Sequence, residues 1–448
     1  MTLRHWDEEI ETMAPGEIAR MQDDRLREQL AAVVARSDFY RVKFARHGSD
    51  PAAVRGVADL PDLPFTEKQE LRESQIAAPP LGSHAAAPMR SVVRVHASSG
   101  TTGRPSYVGV TAADADAWAE VAARVYFCEG MRPDDVVLHG FGLGFFVGGL
   151  PLAEAVQRLG ATFIPLGTGA TDRLVSAADD LGATILSCTP SYARYLAEQL
   201  PDKFGRDPRD LGVGRILVGA EPGGGVPAVR DRIAAQFGAE VRESVGNADL
   251  FPMYAGTCDA QDGNHLLAPD HLLLELIDPD SGAPIAWEDG AEGELVATHL
   301  QRECVPLIRF RTRDRVVVAT SPCPCGRTGP RIRCVGRTDD LLIVNGVNVW
   351  PSAVSDVVAG FAPETTGALE IVIGTPPPKV DPPLRVRVEA TGAGDQDSLR
   401  ARLEAEIRAK LIARAAIELV PPGTLERTEA KSKLVRLDAT TIAEGAGR

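Results

Sequence analysis

Residues 96–111, HASSGTTGRPSYVGVT, gather Ser98, Ser99, Gly100, Thr101, Thr102 and Gly103 ahead of Arg104 and Pro105. The hydroxyls offer donors, the two glycines let backbone N–H groups close around an anion without a Cβ in the way, and Arg104 adds a fixed cation. The stretch reads as a phosphate cradle or as an ordinary flexible turn. A second group of residues is of metal-ligating type: Cys258 and His265 in TCDAQDGNHL, with Cys323 and Cys325 in SPCPCGRTGPR. Three thiolates and an imidazole suit a closed, tetrahedral structural Zn²⁺ site. The Cys-x-Cys spacing is not the usual two-residue gap, so four free side chains remain the alternative, and Cys334 is a substitute ligand.

These residues need a frame to position them. At 448 residues the chain exceeds one compact core and should divide into two or more domains. Its 62 acidic against 48 basic side chains exclude a general nucleic-acid binder, which needs a basic surface. A small anionic ligand stays open, since it needs only a local pocket. The charged N-terminus MTLRHWDEEIETM gives no sign of a signal peptide, and no stretch has the apolar length of a membrane span. Seven scattered cysteines without a secretory signal fit a reducing cytoplasm better than a disulfide framework.

Apolar residues recur at helical spacing in EIARMQDDRLREQLAAVVARS, so residues 1–90 read as mostly helical. From about residue 91 short apolar strands alternate with amphipathic helices: DVVLHG, GGLPLAEAVQRLG, ATFIPLG, LVSAADDLG, ATILSCTP and RILVGAEP. That alternation predicts βαβ units and a largely parallel sheet, with ligands at the carboxyl ends of the strands. From about 266 HLLLELIDPDSGAPI and EGELVAT predict hairpins, and from about 338 a strand-and-helix unit begins, with a long helix near 396–413. The proline-rich GTPPPKVDPP at 374–383 predicts a surface loop rather than a central strand.

Several segments, in order, resemble one family. The loop 98–105, SCTPSYARYLAE at 187–198, GAEP at 219–222, IRFRTRD at 308–314, GRTDDLLIVNGVNVWPS at 336–352 and ERTEAKSKLVRL near the end are similar to motifs of the adenylate-forming enzymes. The branch they most resemble is that of the phenylacetate-CoA ligases, over about residues 60–438. The resemblance implies an α/β fold. A large N-terminal domain, 1–336, would have mixed and parallel sheets flanked by helices plus a β-rich subdomain, followed by a small mobile α+β domain, 337–448. It also implies activation of a carboxylic acid by ATP as acyl-AMP with release of pyrophosphate, then transfer to a second nucleophile. Two anions must meet in that reaction, so cations, metal and oriented dipoles have to neutralise them.

The residues implied by the resemblance follow. Ser98–Gly103 and Arg104 would hold the β- and γ-phosphates, and Gly219, Ala220, Glu221 and Pro222 would border adenine. Glu221 is either ligand-facing, the reading we favour, or a helix N-terminal charge. Asp314 would accept from the ribose hydroxyls. Where relatives carry aromatic-Gly-x-Thr-Glu, this chain has Val245-Gly246-Asn247-Ala248-Asp249. Asp249 can still ligate Mg²⁺, one methylene shorter than glutamate, whereas Val245 cannot stack on adenine and Ala248 lacks the hydroxyl. Phe141, Gly142, Phe145 and Phe146 in LHGFGLGFFVGGLP, with Tyr192, would wall an acyl pocket suited to a flat aromatic acid, or simply pack in the core. Arg337, Asp339 and Asp340 mark the hinge, and Lys431, with Lys433 as competitor, falls where the family's catalytic lysine lies. Arg309 and Arg311 are left as strand-surface charges.

The resulting expectation is an ATP- and Mg²⁺-dependent aryl-acid ligase with coenzyme A as acceptor and a structural Zn²⁺, cytoplasmic, and a homodimer by analogy with the family. The alternatives are transfer to an amine, carrier thiol or other nucleophile, or a catalytically idle nucleotide-binding relative.

Overall fold

A computed structural model describes residues 4–98, 106–392, 394–425 and 434–438. Helices α1 (Glu8–Glu11), α2 (Pro15–Arg36), α3 (Asp38–His47) and α4 (Lys68–Ala77) form the expected helical N-terminal part. In α2, Pro15 opens the helix and Leu26, Leu30 and Val33 recur on one face, which is buried. Next comes an antiparallel hairpin of β1 (Val92–Ser98) and β2 (Ser106–Thr111), then the buried helix α5 (Ala112–Cys128). The alternation read from the sequence is present as β3 (Val136–His139), α6 (Leu150–Leu159), β4 (Thr162–Ile164), α7 (Thr171–Leu181), β5 (Ile185–Cys188), α8 (Pro190–Phe204), β6 (Arg215–Val218), α9 (Pro227–Phe237) and β7 (Glu240–Asn247).

Strands β4, β3, β5, β6 and β7 pair in parallel in that order. Their short apolar runs are buried on both faces, with Leu138, Leu186, Ile216 and Val241 packed against Leu196 and Ile233 of the covering helices. The antiparallel strands β8 (Phe251–Thr257), β9 (Asn264–Leu266), β10 (Leu272–Ile277), β11 (Pro284–Ile285), β12 (Glu292–His299), β13 (Phe310–Ala319) and β14 (Arg331–Arg337) continue the same sheet. Its order is β11-β10-β12-β13-β14-β9-β8-β7-β6-β5-β3-β4. The β-rich part is therefore joined to the parallel part through the antiparallel β7–β8 pair rather than standing apart.

The C-terminal part has its own core. Strands β15 (Leu342–Val344), β16 (Val347–Val349), β17 (Thr365–Ile373), β18 (Lys379–Val380), β19 (Leu384–Ala390), β20 (Ala415–Val420) and β21 (Val435–Leu437) form sheets ordered β16-β15-β18 and β20-β19-β17-β21. Helices α10 (Pro351–Ala359) and α11 (Gln396–Leu411) cover Ile371, Val386 and Val388 with Val354, Leu399, Leu403 and Ile407. The proline-rich segment contributes only the two-residue edge strand β18, as its missing N–H groups require. Among the described residues no helix is long and apolar enough to cross a membrane.

Candidate active site

The carboxyl ends of β6 and β7 lie side by side, because Val218 pairs with Glu243 in a parallel register. The chain leaves β6 through Gly219 and Ala220, the latter in the left-handed region at φ 70°. Gly219 sits so close to Ser244 that a Cβ would fall 2.9 Å from its Oγ. Glu221 places one carboxylate oxygen 2.6 Å from the Ser191 N–H in the first turn of α8. It thus serves as a helix-terminus charge, satisfying one of the exposed N–H groups of α8, a role compatible with facing a ligand. The glycines 223–225 that follow are filled by the protein itself. Glu243 accepts from the Gly225 N–H at 2.7 Å and from the Asn264 amide at 3.2 Å, and its carboxyl is pushed up by burial, against a further bond from the Gly224 N–H.

At the end of β7, Gly246 admits no other residue, since a Cβ would meet the Pro252 carbonyl oxygen at 1.8 Å. Asn247 caps the turn by accepting the Asp249 N–H at 3.0 Å. Val245 pairs with Ala255 and packs against the β-rich core. Both carboxylate oxygens of Asp249 accept from Lys68 Nζ, at 2.5 and 2.6 Å, a partner 181 residues away that the sequence reading missed. Asp249 lines a small pocket with Leu71, His84, Ser106, Val108 and Leu307. Burial holds the His84 imidazole down at about 4, with the Asp249 charge pulling the other way. A magnesium ion that keeps substrate phosphates and water as ligands needs one or two protein carboxylates. Asp249 fits as one, with Lys68 competing for its lone pairs.

Asp314 on β13 pairs with Arg337 on β14, and its Oδ1 accepts from Arg337 Nη1 at 2.7 Å. The same guanidinium holds Asp339 bidentately, with both contacts at 2.9 Å, while Asp340 stands 4.0 Å from it. The expected ribose ligand and the expected hinge are therefore one charged cluster. Tyr254 on β8 lies within reach of it; burial pushes its phenol up, Asp314 adds to the shift, and its buried hydroxyl has no hydrogen-bond partner among the described residues. Arg309 and Arg311 are not strand-surface charges. Arg309 is buried, bidentate to Glu275, and donates to the carbonyls of Pro61 and Leu63. Arg311 is bidentate to the fully buried Glu294 at 2.8 Å. Both tie the helical N-terminal part to the β-rich strands, and Arg313 does likewise through Glu67 at 2.6 Å, next to Lys68.

The segment 140–149 separates two of its candidates. Phe141 is part-buried against the His139 ring at 5.6 Å, whereas Phe145 and Phe146 are 47% and 53% exposed. Among the described residues Gly142 meets only Thr168, 3.5 Å from where its Cβ would be. Tyr192 is fully buried beneath Gly140, with its hydroxyl 3.1 Å from Thr171 Oγ1. Packing of α8 under β5 turns Tyr192 into the core, so the described residues do not gather Phe146 and Tyr192 in one enclosed pocket. Of the phosphate-loop candidates only Ser98 is described, its Oγ buried at the end of β1. Ser99, Gly100, Thr101, Thr102, Gly103, Arg104, Lys431 and Lys433 lie outside the described residues.

The sulfur and imidazole ligands do converge. Cys258, His265, Cys323 and Cys325 place their ligand atoms within 4.8 Å of one another. Cys258 and Cys323 Sγ are 3.6 Å apart and Cys325 Sγ is 3.3 Å from His265 Nε2. Tetrahedral zinc with bonds of about 2.3 Å to sulfur and about 2.0–2.1 Å to nitrogen requires edges of roughly 3.5–3.8 Å, which the 3.6 Å pair meets and the 3.3 Å pair approaches, so the residues suit such an ion. A hydrogen bond from Cys258 pulls the Cys325 thiol down. Cys334 is exposed on β14 and stands outside the cluster, which corrects its place as a substitute ligand. The cluster also anchors the N-terminus: Arg4 donates to the Pro324 carbonyl at 2.8 Å, His5 contacts that of Cys325 at 3.0 Å, and Glu11 pairs with Arg327 at 2.7 Å.

This geometry has relatives. Residues 19–300 match the AMP-binding enzyme family and residues 346–438 the AMP-binding enzyme C-terminal domain. The phenylacetate-coenzyme A ligase of Thermus thermophilus is 36% identical over 440 residues, covering 94% of this chain and 96% of that protein. A 2-hydroxyisobutyryl-CoA ligase in the postadenylation state, in complex with 2-HIB-AMP, superposes with a TM-score of 0.91 at 30% identity, covering 99% of this chain and 94% of that one. The same ligase with 2-HIB-AMP and CoA in the thioesterification state gives 0.73 at 31% identity and equal coverage. The chain belongs to the adenylate-forming AMP-binding enzymes, in the branch of the phenylacetate-coenzyme A ligases, and is an ATP-dependent, AMP-forming acid ligase.

Proposed function

We propose that this chain converts an aromatic carboxylic acid into its coenzyme A thioester in two half-reactions. In the first, a carboxylate oxygen attacks the α-phosphorus of ATP, the bond to pyrophosphate breaks, and aryl-AMP forms. In the second, the thiolate of coenzyme A attacks the acyl carbon and AMP leaves with the bonding electrons. The observation that carries the acid and acceptor classes is the end-to-end likeness to a phenylacetate-coenzyme A ligase.

In this reading Ser98–Gly103 and Arg104 hold the phosphates, and Gly219–Pro222 with Gly246 and Asn247 border the adenosine. Asp314 accepts from the ribose hydroxyls once Arg337 yields to them, and the buried Tyr254 hydroxyl is a further polar group a nucleotide would meet. Lys431 bridges the acid carboxylate and the α-phosphate, lowering the repulsion between two anions. Magnesium bound with ATP supplies further charge neutralisation, with Asp249 as its protein ligand. Phe141, Gly142 and Phe146 face the acid, and Tyr192 supports their backbone from beneath. Zinc on Cys258, His265, Cys323 and Cys325 is structural: it fixes the loop after β8 to the loop before β14. The two domains, joined at Arg337–Asp340, stand in the arrangement of the first half-reaction, which the higher TM-score against the postadenylation state supports.

The test is mass-spectrometric product analysis with ATP, Mg²⁺ and a panel of phenylacetic, benzoic, hydroxybenzoic, aminobenzoic and 2-hydroxyisobutyric acids, with and without coenzyme A. Aryl-CoA formed only when the thiol is present supports the reading. Preference for 2-hydroxyisobutyrate, the acid of the structural relative, would replace the aromatic class by a small aliphatic one. AMP formation indifferent to coenzyme A would move the acceptor to an amine or carrier thiol.

A further inference from the structure

Two arginines of the large domain grip one short piece of the small domain. Arg194 on α8 donates to the Gly367 carbonyl at 3.4 Å, and Arg232 on α9 donates to the carbonyls of Thr365 and Thr366 at 3.3 and 2.7 Å. Gly367 is in the left-handed region at φ 80°, a conformation that strains any residue with a side chain, and both guanidinium groups pass within ordinary contact, 3.5–3.6 Å, of where its Cβ would be. Ala359, at the end of α10, is buried in the core formed by α8, α9 and the parallel strands, which seals the contact beside them.

The gripped residues are not a passive edge. The Thr366 hydroxyl donates to Glu389 at 3.0 Å, and the other oxygen of this fully buried carboxylate accepts the Leu425 N–H at 2.8 Å. Leu425 packs with Ala368 and Val420, and the chain then runs on toward Lys431. One polar path, Arg232–Thr366–Glu389–Leu425, thus joins the large domain to Leu425, the last described residue before Lys431, to which the proposed function gives the bridging role.

We propose that Arg194 and Arg232 are positioning residues for the first half-reaction: they hold the small domain over the nucleotide side and must let go for the second. The inference rests on the two-step reading above. Charge-assisted bonds from part-buried guanidinium groups to main-chain carbonyls suit such a role, because they fix orientation while closed and exchange readily for water when the domains part. Carbonyls gripped at a strand start also leave the small domain's own core intact on release.

The experiment compares the wild type with Arg194→Ala/Arg232→Ala and Arg194→Lys/Arg232→Lys. Small-angle scattering of the free proteins reads the domain arrangement without any activity. ATP–pyrophosphate exchange, with the acid the wild type prefers, reads the first half-reaction, and thioester formation from preformed acyl-AMP and coenzyme A reads the second. The alanine pair should have a larger radius of gyration and about tenfold slower exchange at little-changed KM, with the second half-reaction within about twofold of wild type. The lysine pair should recover most of the loss. Equal losses in both half-reactions, unchanged scattering, or unchanged exchange would overturn the proposal. A wild type that exchanges pyrophosphate but forms no thioester would instead refute the choice of coenzyme A, while scattering and exchange would still judge the arginines.

Discussion

Replacing Glu243 by alanine should loosen the nucleotide-side loop without touching any nucleotide ligand. The side chain is 8% exposed and satisfies the Gly225 N–H at 2.7 Å, the Gly224 N–H, and the Asn264 amide. Asn264 keeps a second acceptor in the Ile332 carbonyl at 3.3 Å, so two main-chain donors are stranded. At about 1–3 kcal/mol for each buried donor left unpaired, the gross cost is roughly 2–6 kcal/mol. Part of this is offset, because burial penalises the charged carboxylate and its removal returns on the order of 1–2 kcal/mol. The net expectation is roughly 0–5 kcal/mol, centred at about 2.5 kcal/mol, of lower stability in urea unfolding, with about a tenfold rise in KM for ATP in pyrophosphate exchange and a smaller change in kcat. Glu243→Gln keeps the acceptor for Gly225 and should stay within about 1 kcal/mol of wild type. An alanine variant equal to wild type in both assays would refute the view that this carboxylate holds the glycine loop.

Lys431→Ala should cut adenylate formation by at least about a hundredfold while leaving the use of preformed acyl-AMP largely intact; normal adenylation would transfer the role to Lys433 or another group. Elemental analysis of the purified protein should find about one zinc per chain, and Cys323→Ser should remove it and lower Tm by several degrees, freeing the N-terminal residues tied to Pro324 and Cys325 for early proteolysis. A wild type lacking bound zinc would end that reading. Glu129, fully buried at the end of α5, has its carboxyl pushed well above the ordinary 4.5 by burial, against the pull of Arg242. The folded state therefore keeps a proton the unfolded chain loses, and stability falls as pH rises above about 4.5, by about 1.4 kcal/mol per pH unit until the folded group ionises. Glu129→Gln should match the wild type near pH 4 and exceed it increasingly above pH 5; parallel pH profiles would contradict this.

The parallel half of the fold was legible because its strands are short apolar runs between amphipathic helices, each run bounded by glycine or proline. The metal-type cluster was legible by residue type alone, since Cys and His are few. Pairings across long sequence separations were not legible. Nothing in EKQ marks Lys68 as the partner of Asp249, and nothing in RFR tells a surface arginine from one locked onto Glu275 or Glu294. Glu221 was legible only in part for a local reason: a carboxylate at the end of a strand suits a ligand as well as a neighbouring helix end, and the approach of Ser191 shows the second role without excluding the first. Tyr192 was ambiguous in the same way, because helical spacing does not say whether a tyrosine lines a pocket or lies under it.

Acid-dependent exchange of labelled pyrophosphate into ATP, run without coenzyme A, tests the two-step account most directly. The account predicts exchange that requires both an aromatic acid and Mg²⁺ and that proceeds in the complete absence of the thiol, because the acyl-AMP forms first. Exchange that appears only when coenzyme A is added would contradict it.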